Sequence, residues 1–340
     1  MNNNSIKEWL KLPEESKLKL FIQTSDRIGL PVTAIEKDWW VTHTLSIIFS
    51  MNCANALLFK GGTSLSKAWN LVERFSEDVD LALDREYLGF TGNLSKTAIR
   101  KLRYASYEFL STKFTDELRE RFESLGINDV IVKPREVENQ DQDPLIIEIY
   151  YPKLTEKGTY LHPGILVEVG CRSLKEPYTQ RVFKTMVSEA FPDKPYSDSN
   201  ITIPTVNPER TFLEKVFLLH EEYQRPSEKI RVQRLSRHLY DIEKLSQTPY
   251  FQKALADKNL YDTIVAHRSK FAPVGGVDYT KHLPQHIRIV PPAELLPLWE
   301  KDYYEMIESM IHGEKLPFDK LIERIIAVQE IIRTVNLNNG

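Results

Sequence analysis

Residues 57–67 read Leu57-Leu58-Phe59-Lys60-Gly61-Gly62-Thr63-Ser64-Leu65-Ser66-Lys67. After a short helical stretch, residues 74–83 read Arg74-Phe75-Ser76-Glu77-Asp78-Val79-Asp80-Leu81-Ala82-Leu83. The first segment is an apolar run typical of a buried strand, and it ends in a Gly-Gly-Thr-Ser turn that opens a helix. The second is typical of a returning strand, and it bears two acidic residues. Together they predict a phosphate site at the first turn and a metal site on the second strand.

The Gly-Gly-Thr-Ser turn suits phosphate because the first N–H groups of a helix lack internal partners and lie at the positive end of its dipole. Gly61 and Gly62 let a phosphate approach the backbone, and Thr63 or Ser64 can cap the helix or bind the phosphate. Lys67 lies one turn further along, within reach of the same anion. The alternative is an ordinary turn and helix cap without a ligand.

The acidic strand suits a divalent cation. Side chains two apart on a strand point to the same face, so Asp78 and Asp80 converge while Val79 and Leu81 pack into the core. Two carboxylates in one place repel each other, and a hard cation such as Mg²⁺ or Mn²⁺ relieves that repulsion. An ordinary edge strand has the same alternation. The neighbouring phosphate turn favours the metal site.

A third carboxylate has two candidates, Glu148 and Glu168. Both acids are embedded in apolar strand segments, where an unpaired charge is costly. Spacing alone leaves the choice between them open. For Glu168, a purely structural pairing with Arg172 or Lys215 is a further alternative.

The two quoted segments closely resemble motif I of the AbiEii/AbiGii toxin family, a branch of the DNA polymerase β-like nucleotidyltransferases. Further segments resemble family elements in the same order, and these are Glu36-Lys37-Asp38-Trp39-Trp40-Val41, Leu166-Val167-Glu168-Val169, Phe212-Leu213-Glu214-Lys215-Val216, Arg237-His238-Leu239-Tyr240-Asp241-Ile242 and the stretch from Trp299 to Met310. His238 stands where the family usually has Asp. The resemblance covers about residues 35 to 330, and it favours Glu168 as the third acid.

The resemblance implies an α+β protein. A polymerase β-like mixed sheet flanked by helices is expected in residues 1–205, and a helical C-terminal domain in residues 206–340. The implied reaction moves an NMP from an NTP to an acceptor hydroxyl and releases pyrophosphate. Asp78, Asp80 and Glu168 would hold Mg²⁺ or Mn²⁺, and Glu168 would ligate the catalytic metal or accept the proton of the hydroxyl.

The resemblance also implies a biological role, that of a toxin in a toxin–antitoxin or phage-defence system. Such a toxin would extend or block the 3′ end of tRNA, and an antitoxin encoded nearby would be its partner. Two alternatives stay open. One is transfer of the NMP to a protein, and the other is a catalytically silent module that binds a nucleotide or a partner.

Lys215 lies in an otherwise apolar helix, where a buried lysine needs an anionic partner such as a triphosphate or an acidic site residue. Ion pairs with three nearby acids explain it equally well, namely Glu214, Glu221 and Asp241. Arg237 is a second candidate for nucleotide binding, by the family motif. Lys37 and Asp38 are expected to be packing and helix-pairing residues rather than catalysts.

The net charge of −3 argues against a protein whose whole surface binds nucleic acid. Two local clusters are nevertheless basic, namely Lys96, Arg100, Lys101 and Arg103, and Arg225, Lys229, Arg231, Arg234 and Arg237. Such clusters can hold the phosphates of an RNA acceptor. Each could equally be a solvated helix face.

Composition describes an ordinary globular chain of 340 residues, for which two domains are expected. No apolar run approaches the roughly 18 residues that a membrane span needs, and the start of the chain does not resemble a signal peptide. A cytoplasmic protein without a membrane partner is therefore expected. Cys53 and Cys171 are expected to be reduced and buried.

Hydrophobic periodicity predicts helices over residues 5–30 and 33–51, a helix from about Thr63, and a long amphipathic helix over about residues 96–125. Strands are predicted over residues 57–61, 78–84, 130–137, 145–151 and 164–171, and the last two form a hairpin. Pro204 and Pro208 predict a turn into a mostly helical half, and residues 272–297 have the composition of an ordered loop.

Overall fold

One mixed seven-stranded sheet organises the first part of the chain, as seen in a computed structural model that describes residues 4–155, 162–171 and 177–335. Contacts between residues divide the chain into two units. Unit 1 comprises Met1–Trp69 and Phe75–Val206, and unit 2 comprises Asn70–Arg74 and Asn207–Gly340. The predicted α+β fold class is confirmed.

The sheet in unit 1 has the strand order β3-β4-β5-β2-β1-β7-β6. Its strands are β1 Leu57–Lys60, β2 Val79–Leu83, β3 Ile131–Pro134, β4 Leu145–Tyr150, β5 Ile165–Gly170, β6 Tyr178–Phe183 and β7 Ile201–Val206. β2 pairs with β5 in parallel, and β1 pairs with β7 in parallel. The other pairs are antiparallel, including the predicted hairpin of β4 and β5.

Five of these strands match predicted segments, whereas β6 and β7 were not predicted. The turn predicted between Pro204 and Pro208 is present at Asn207, which connects β7 to α8, but Pro204 itself lies inside β7 opposite Gln180 of β6. Proline is normally excluded from inner strands because it lacks an amide hydrogen. Here β7 pairs with β6 along its whole length, from Ile201 to Val206. Its parallel pairing with β1 places Phe59 opposite Thr205.

Helices complete unit 1, and their bounds are α1 Asn4–Leu10, α2 Glu14–Ile28, α3 Val32–Ile48, α4 Gly61–Thr63, α5 Lys96–Phe109, α6 Thr115–Ser124 and α7 Met186–Ala190. The helix predicted over residues 5–30 is divided, because Pro13 occupies the N-cap of α2. A π-helical turn, Ser64–Ala68, extends α4. Another, Leu110–Phe114, joins α5 to α6 within the long helical stretch predicted there.

α3 lies at the centre of unit 1. All of its residues from Ala34 to Ile48 are buried, including charged ones, and it contacts α2, α6, α7 and β5. β1, β4 and β5 alternate between buried and half-buried residues. Phe59, Val79 and Leu81 occupy the buried face of the central strands. Polar residues of the same strands therefore lie together on the opposite face.

Unit 2 is helical, with α8 Pro208–Glu222, α9 Ser236–Ser246, α10 Pro249–Ala256, α11 Lys258–Phe271, α12 Leu296–Met310 and α13 Phe318–Thr334. Between α11 and α12 the chain forms three short 3₁₀ turns, in agreement with the predicted ordered loop. Across the residues that the structure describes, none of the helices is long and apolar enough to span a membrane.

Candidate active site

The turn after β1 packs directly against the carboxylate of Asp80. Gly61 has a φ of +76°, a conformation that favours glycine. A Cβ atom at this position would lie 1.8 Å from Oδ2 of Asp80 and 2.6 Å from its Cγ. Glycine is therefore required here for two reasons: the backbone conformation favours it, and a side chain would occupy the space of the Asp80 carboxylate.

Asp80 and Glu168 are register partners on the neighbouring parallel strands β2 and β5. Strands in a sheet are about 4.8 Å apart, so these two side chains leave the backbone side by side on one face. Both residues are half-buried, whereas Val79 and Leu81 are fully buried on the opposite face. The structure thus brings together two of the three predicted carboxylates.

Asp78 precedes β2 and is half-buried like Asp80, in agreement with the predicted alternation. Its backbone carbonyl accepts a hydrogen bond from the Oγ1 hydroxyl of Thr63. Thr63 is buried and belongs to α4, so this bond ties the glycine turn to the start of β2. The two halves of the motif are therefore held against each other at the site.

Glu148 has a structural explanation for its place in an apolar strand. Its carboxylate accepts hydrogen bonds from Nε of Arg135 at 2.7 Å and from the hydroxyl of Tyr150 at 3.0 Å, and Lys133 lies 4.0 Å away. Burial acts to raise the pKa of Glu148, but these partners outweigh burial and lower it. Glu148 also lies on β4, two strands from β2. This geometry favours Glu168 as the third carboxylate.

The side chains of the predicted phosphate turn have partners within the protein. Ser64 is fully buried, and its hydroxyl donates to the carbonyl of Gly61 at 2.8 Å. The ammonium group of Lys67 lies 2.5 Å from Oδ1 of Asp38 and is mostly buried. Oδ2 of Asp38 accepts the backbone N–H of Met186 at 2.8 Å. Binding of phosphate by Ser64 and Lys67 therefore stays a prediction.

α3 anchors both segments of the motif through adjacent residues, because Asp38 holds Lys67 as described and Lys37 holds Glu77. The ammonium group of Lys37 pairs with the Glu77 carboxylate and donates to the carbonyl of His162 at 2.7 Å. Burial lowers the pKa of Lys37, although the attraction of Glu77 opposes that effect. These buried ion pairs agree with the packing role predicted for Lys37 and Asp38.

The role of Glu77 in this anchor was not predicted. Its carboxylate also accepts the backbone N–H of His162 at 2.9 Å, so one buried acid joins three segments of unit 1. A signal was present in the sequence, because Lys37 lies in a predominantly apolar helix and such a lysine requires a buried acid. The identity of that acid could not be read from spacing, since 40 residues separate the pair.

The carboxylates fit a hard cation by their chemistry. Asp78, Asp80 and Glu168 offer only oxygen donors, which Mg²⁺ and Mn²⁺ prefer, and Gly61 leaves the space that Oδ2 of Asp80 occupies. Within residues 4–155, 162–171 and 177–335, no three His, Cys, Asp or Glu side chains stand close enough together to form a metal site. The assignment of a metal to these three acids stays a prediction.

In unit 2, Lys215 has an acidic partner, Asp241, which is one of the three acids considered from the sequence. The ammonium group lies 2.9 Å from Oδ2 of Asp241, and Arg74 donates to both oxygens of the same carboxylate at 2.7 Å. Burial acts to raise the pKa of Asp241, but the two cations lower it far below its usual value. Burial lowers the pKa of Lys215. A structural role thus accounts for the buried lysine.

His238, at the position where the family usually has Asp, joins this cluster. Its Nδ1 lies 3.4 Å from the ammonium group of Lys215, and burial holds its pKa well below the usual value. The imidazole is therefore neutral, and Nδ1 can accept a hydrogen bond from Lys215. Arg237 is half-buried beside it on α9, and its charge contributes to lowering the pKa of Lys215. The catalytic role of Lys215 and nucleotide binding by Arg237 stay predictions.

Arg172, a suggested partner of Glu168, lies outside the described residues.

The two basic clusters differ in their surroundings. In the second, Arg225 and Arg231 both bind the buried carboxylate of Glu222, at 3.0 and 2.6 Å. These arginines therefore compensate a buried acid. In the first, on α5, the side chains of Lys96, Arg100 and Lys101 are exposed. The α5 cluster is the more open to a polyanion.

The contact between Gly61 and Asp80 leads to a testable expectation. Gly61→Ala should lower any reaction at this site by at least about 10²-fold, because the new Cβ displaces the Asp80 carboxylate. Gly29→Ala is the matched control, since Gly29 has a φ of +80° and no atom within 4 Å of the added Cβ. Both variants should lose about 1 kcal/mol of stability from the strained backbone. Equal activity in the two variants would contradict this role of Gly61.

The chain resembles known proteins along most of its length. Residues 49–324 match the family model described as nucleotidyl transferase AbiEii toxin, type IV TA system. Among solved structures, JHP933 from Helicobacter pylori is 12% identical, with 89% of this chain and 93% of that chain covered and a TM-score of 0.44. The nucleotidyltransferase toxin MenT4 from Mycobacterium tuberculosis is 16% identical, with 92% and 99% covered and a TM-score of 0.43. A search of curated protein sequences gives no significant match.

Proposed function

Because the chain belongs to the AbiEii toxin family of nucleotidyltransferases, we propose that it transfers an NMP from an NTP to an acceptor hydroxyl and releases pyrophosphate. The observation that carries this proposal is the arrangement of Asp80, which is seated against Gly61 and is in register with Glu168. The reaction would take place on this face of the sheet in unit 1.

Asp78, Asp80 and Glu168 would hold Mg²⁺ or Mn²⁺. A divalent cation bound there supplies positive charge for the triphosphate and makes the acceptor hydroxyl more acidic. Glu168 is placed beside Asp80, so it can accept the proton of that hydroxyl or act as a third ligand. Lys60, the register partner of Asp80 on β1, adds a cation to the same face. The backbone of the glycine turn would offer N–H groups to the phosphates.

For the acceptor we propose RNA, and specifically the 3′ end of tRNA, as the resemblance implies. The exposed lysines and arginine of the α5 cluster support this choice, because a polyanion binds where cations lack buried partners. The type IV toxin–antitoxin family supports an antitoxin as the biological partner. We propose the cytoplasm as the location, because NTPs and tRNA occur together there.

The proposal is tested by incubating the full chain with each α-³²P-labelled NTP, Mg²⁺ and either total RNA or a protein lysate. One NTP should label RNA of tRNA size, and chelation of Mg²⁺ should stop the labelling. Label on protein instead would replace the RNA acceptor by a protein acceptor. Absence of transfer from all four NTPs to either fraction would contradict nucleotidyl transfer.

Reversal of the α5 cluster should separate acceptor binding from NTP binding. The triple variant Lys96→Glu, Arg100→Glu and Lys101→Glu should weaken RNA binding at least about tenfold, because the three proposed phosphate contacts would be replaced by repulsion. NTP affinity should change little. Both quantities can be measured by filter binding at several salt concentrations.

A matched control variant changes the net charge by the same amount as the α5 reversal. Lys7, Lys19 and Lys194 are exposed residues of unit 1 that do not form a cluster in the sequence, and their reversal to Glu should leave RNA binding nearly intact. Equal losses in both triple variants would show a general effect of charge. RNA labelling that responds neither to salt nor to the α5 reversal would exclude this cluster from the acceptor site.

A further inference from the structure

A cavity of about 440 Å³ lies within unit 2, beside the C-terminal end of α8. We call it the α8 cavity, and the lining residues that matter here are His220, Tyr223, Gln224, Lys281, Arg288 and Arg333. Its volume falls within the range of small-ligand pockets, roughly 300–1,000 Å³. None of these residues belongs to the motif segments with which a function has been associated above.

The lining of the α8 cavity carries more cations than acids. Three cations line it, Lys281, Arg288 and Arg333, against a single acid, Asp278. Lys281 lies 3.9 Å from Asp278, and its side chain is mostly exposed, so this pair is weak. Arg288 forms no ion pair with any residue in the described part of the chain. Arg333 pairs with Glu330 at 3.0 Å and donates to the carbonyl of Ile287, so Arg288 is the cation whose charge remains most available to a ligand.

Two buried donors in the same wall lack acceptors. The side-chain amide of Gln224 accepts the backbone N–H of Asp278 through Oε1 at 3.0 Å, but its Nε2 has no partner among the described residues. The hydroxyl of Tyr223 is buried and likewise has no partner there. A buried donor without an acceptor is costly, and an anion in the cavity would supply the missing acceptors once these two side chains turn toward it.

His220 fixes the loop that carries two of the cations. Its Nδ1 accepts the backbone N–H of Arg288, and its Nε2 donates to the carbonyl of Lys281, both at 3.1 Å. This pattern requires the neutral imidazole. Burial, followed by the neighbouring His282, lowers the pKa of His220 to about 4, so the ring is neutral at physiological pH. Lys281 and Arg288 are therefore presented from an ordered backbone.

We propose that the α8 cavity binds the phosphate group of a nucleotide, either free or as part of an RNA chain. Cations together with donors that lack acceptors match an anion with several acceptor oxygens, and phosphate esters are such anions. The cavity volume leaves room for the attached nucleoside. The proposal does not depend on nucleotidyl transfer, because every residue that carries it belongs to unit 2.

The test is binding to the full chain, measured by isothermal titration calorimetry with AMP, CMP, GMP, UMP and a short RNA oligomer. EDTA and the Asp80→Asn background suppress binding at the candidate active site, so failure of the transfer reaction does not affect this result. Arg288→Gln should raise the Kd at least about tenfold. Lys301→Gln is the matched control, because Lys301 is an exposed cation of α12 and does not line the cavity.

Tyr223→Phe provides a second measurement. Removal of a hydroxyl without an acceptor should raise the unfolding midpoint of the free protein. The same change should weaken binding of the ligand. Binding of a mononucleotide would assign the cavity to free nucleotides, and binding of the oligomer alone would assign it to RNA. Equal affinities for wild type, Arg288→Gln and Tyr223→Phe would overturn the proposal, as would the absence of binding by every probe.

Discussion

Asp80→Asn is expected to lower NMP transfer at least about 10²-fold while the unfolding midpoint changes little. The amide has nearly the same shape as the carboxylate, so it can occupy the space that Gly61 leaves. What it lacks is the negative charge that would hold a cation beside Glu168. The measurement is the single-turnover rate with saturating NTP and Mg²⁺, together with thermal unfolding of the same preparations.

Glu148→Gln is the control for Asp80→Asn. It also removes one carboxylate charge from the sheet, but at a strand where Arg135 is the partner. NMP transfer should therefore persist. The variant should instead be less stable than wild type, because Arg135 loses a charged hydrogen bond. Unchanged transfer in Asp80→Asn would contradict the proposed site. Equal loss of transfer in the two variants would point to general damage to the sheet.

The local parts of the site could be predicted from the sequence, because they depend on residues close together in the chain. The alternation of Asp78 and Asp80 with buried neighbours follows from the period of a strand, and the glycine turn follows from the end of an apolar run. The special need for glycine at position 61 is different. It arises from contact with Asp80 across the pairing of β1 and β2, which required the structure.

Non-local pairing accounts for what the sequence left open or missed. The choice between Glu148 and Glu168 rests on strand order, since only β5 lies next to β2 on that side. Lys67 was expected to reach phosphate, and the partner that it has in the structure, Asp38, lies 29 residues earlier in the chain. β7 was missed because Pro204 favours a turn over a strand, and pairing with β6 overrides that preference.

Asp241→Asn is expected to lower the free energy of unfolding by about 3–5 kcal/mol. The carboxylate is fully buried and balances both Arg74 and Lys215, so its neutralisation leaves two buried cations without a counter-charge. Urea denaturation measures the loss. Asp262→Asn is the control, because Asp262 forms an exposed pair with Lys258, and such pairs contribute at most about 1 kcal/mol.

The pH dependence of the stability difference between wild type and Asp241→Asn is a further check. The folded-state pKa of Asp241 is lowered, so its contribution to stability is present above the unfolded value of about 3.9 and is lost as the pH falls below it. The stability gap between wild type and Asp241→Asn should therefore be constant near neutral pH and should shrink below about pH 4. A gap that does not depend on pH in this range would mean that the charge of Asp241 is not the source of the effect.

Lys215→Met then separates the structural role of this lysine from a catalytic one. Arg74 still binds both oxygens of Asp241 in this variant, so the loss of stability should be smaller than in Asp241→Asn. If Lys215 only balances Asp241, the transfer rate per folded molecule should stay close to that of wild type. A fall in that rate at least about tenfold, with the fold intact, would instead support the predicted catalytic role. A structural role of Lys215 changes the stability, whereas a catalytic role changes the transfer rate. Measuring both on one preparation therefore distinguishes the two roles.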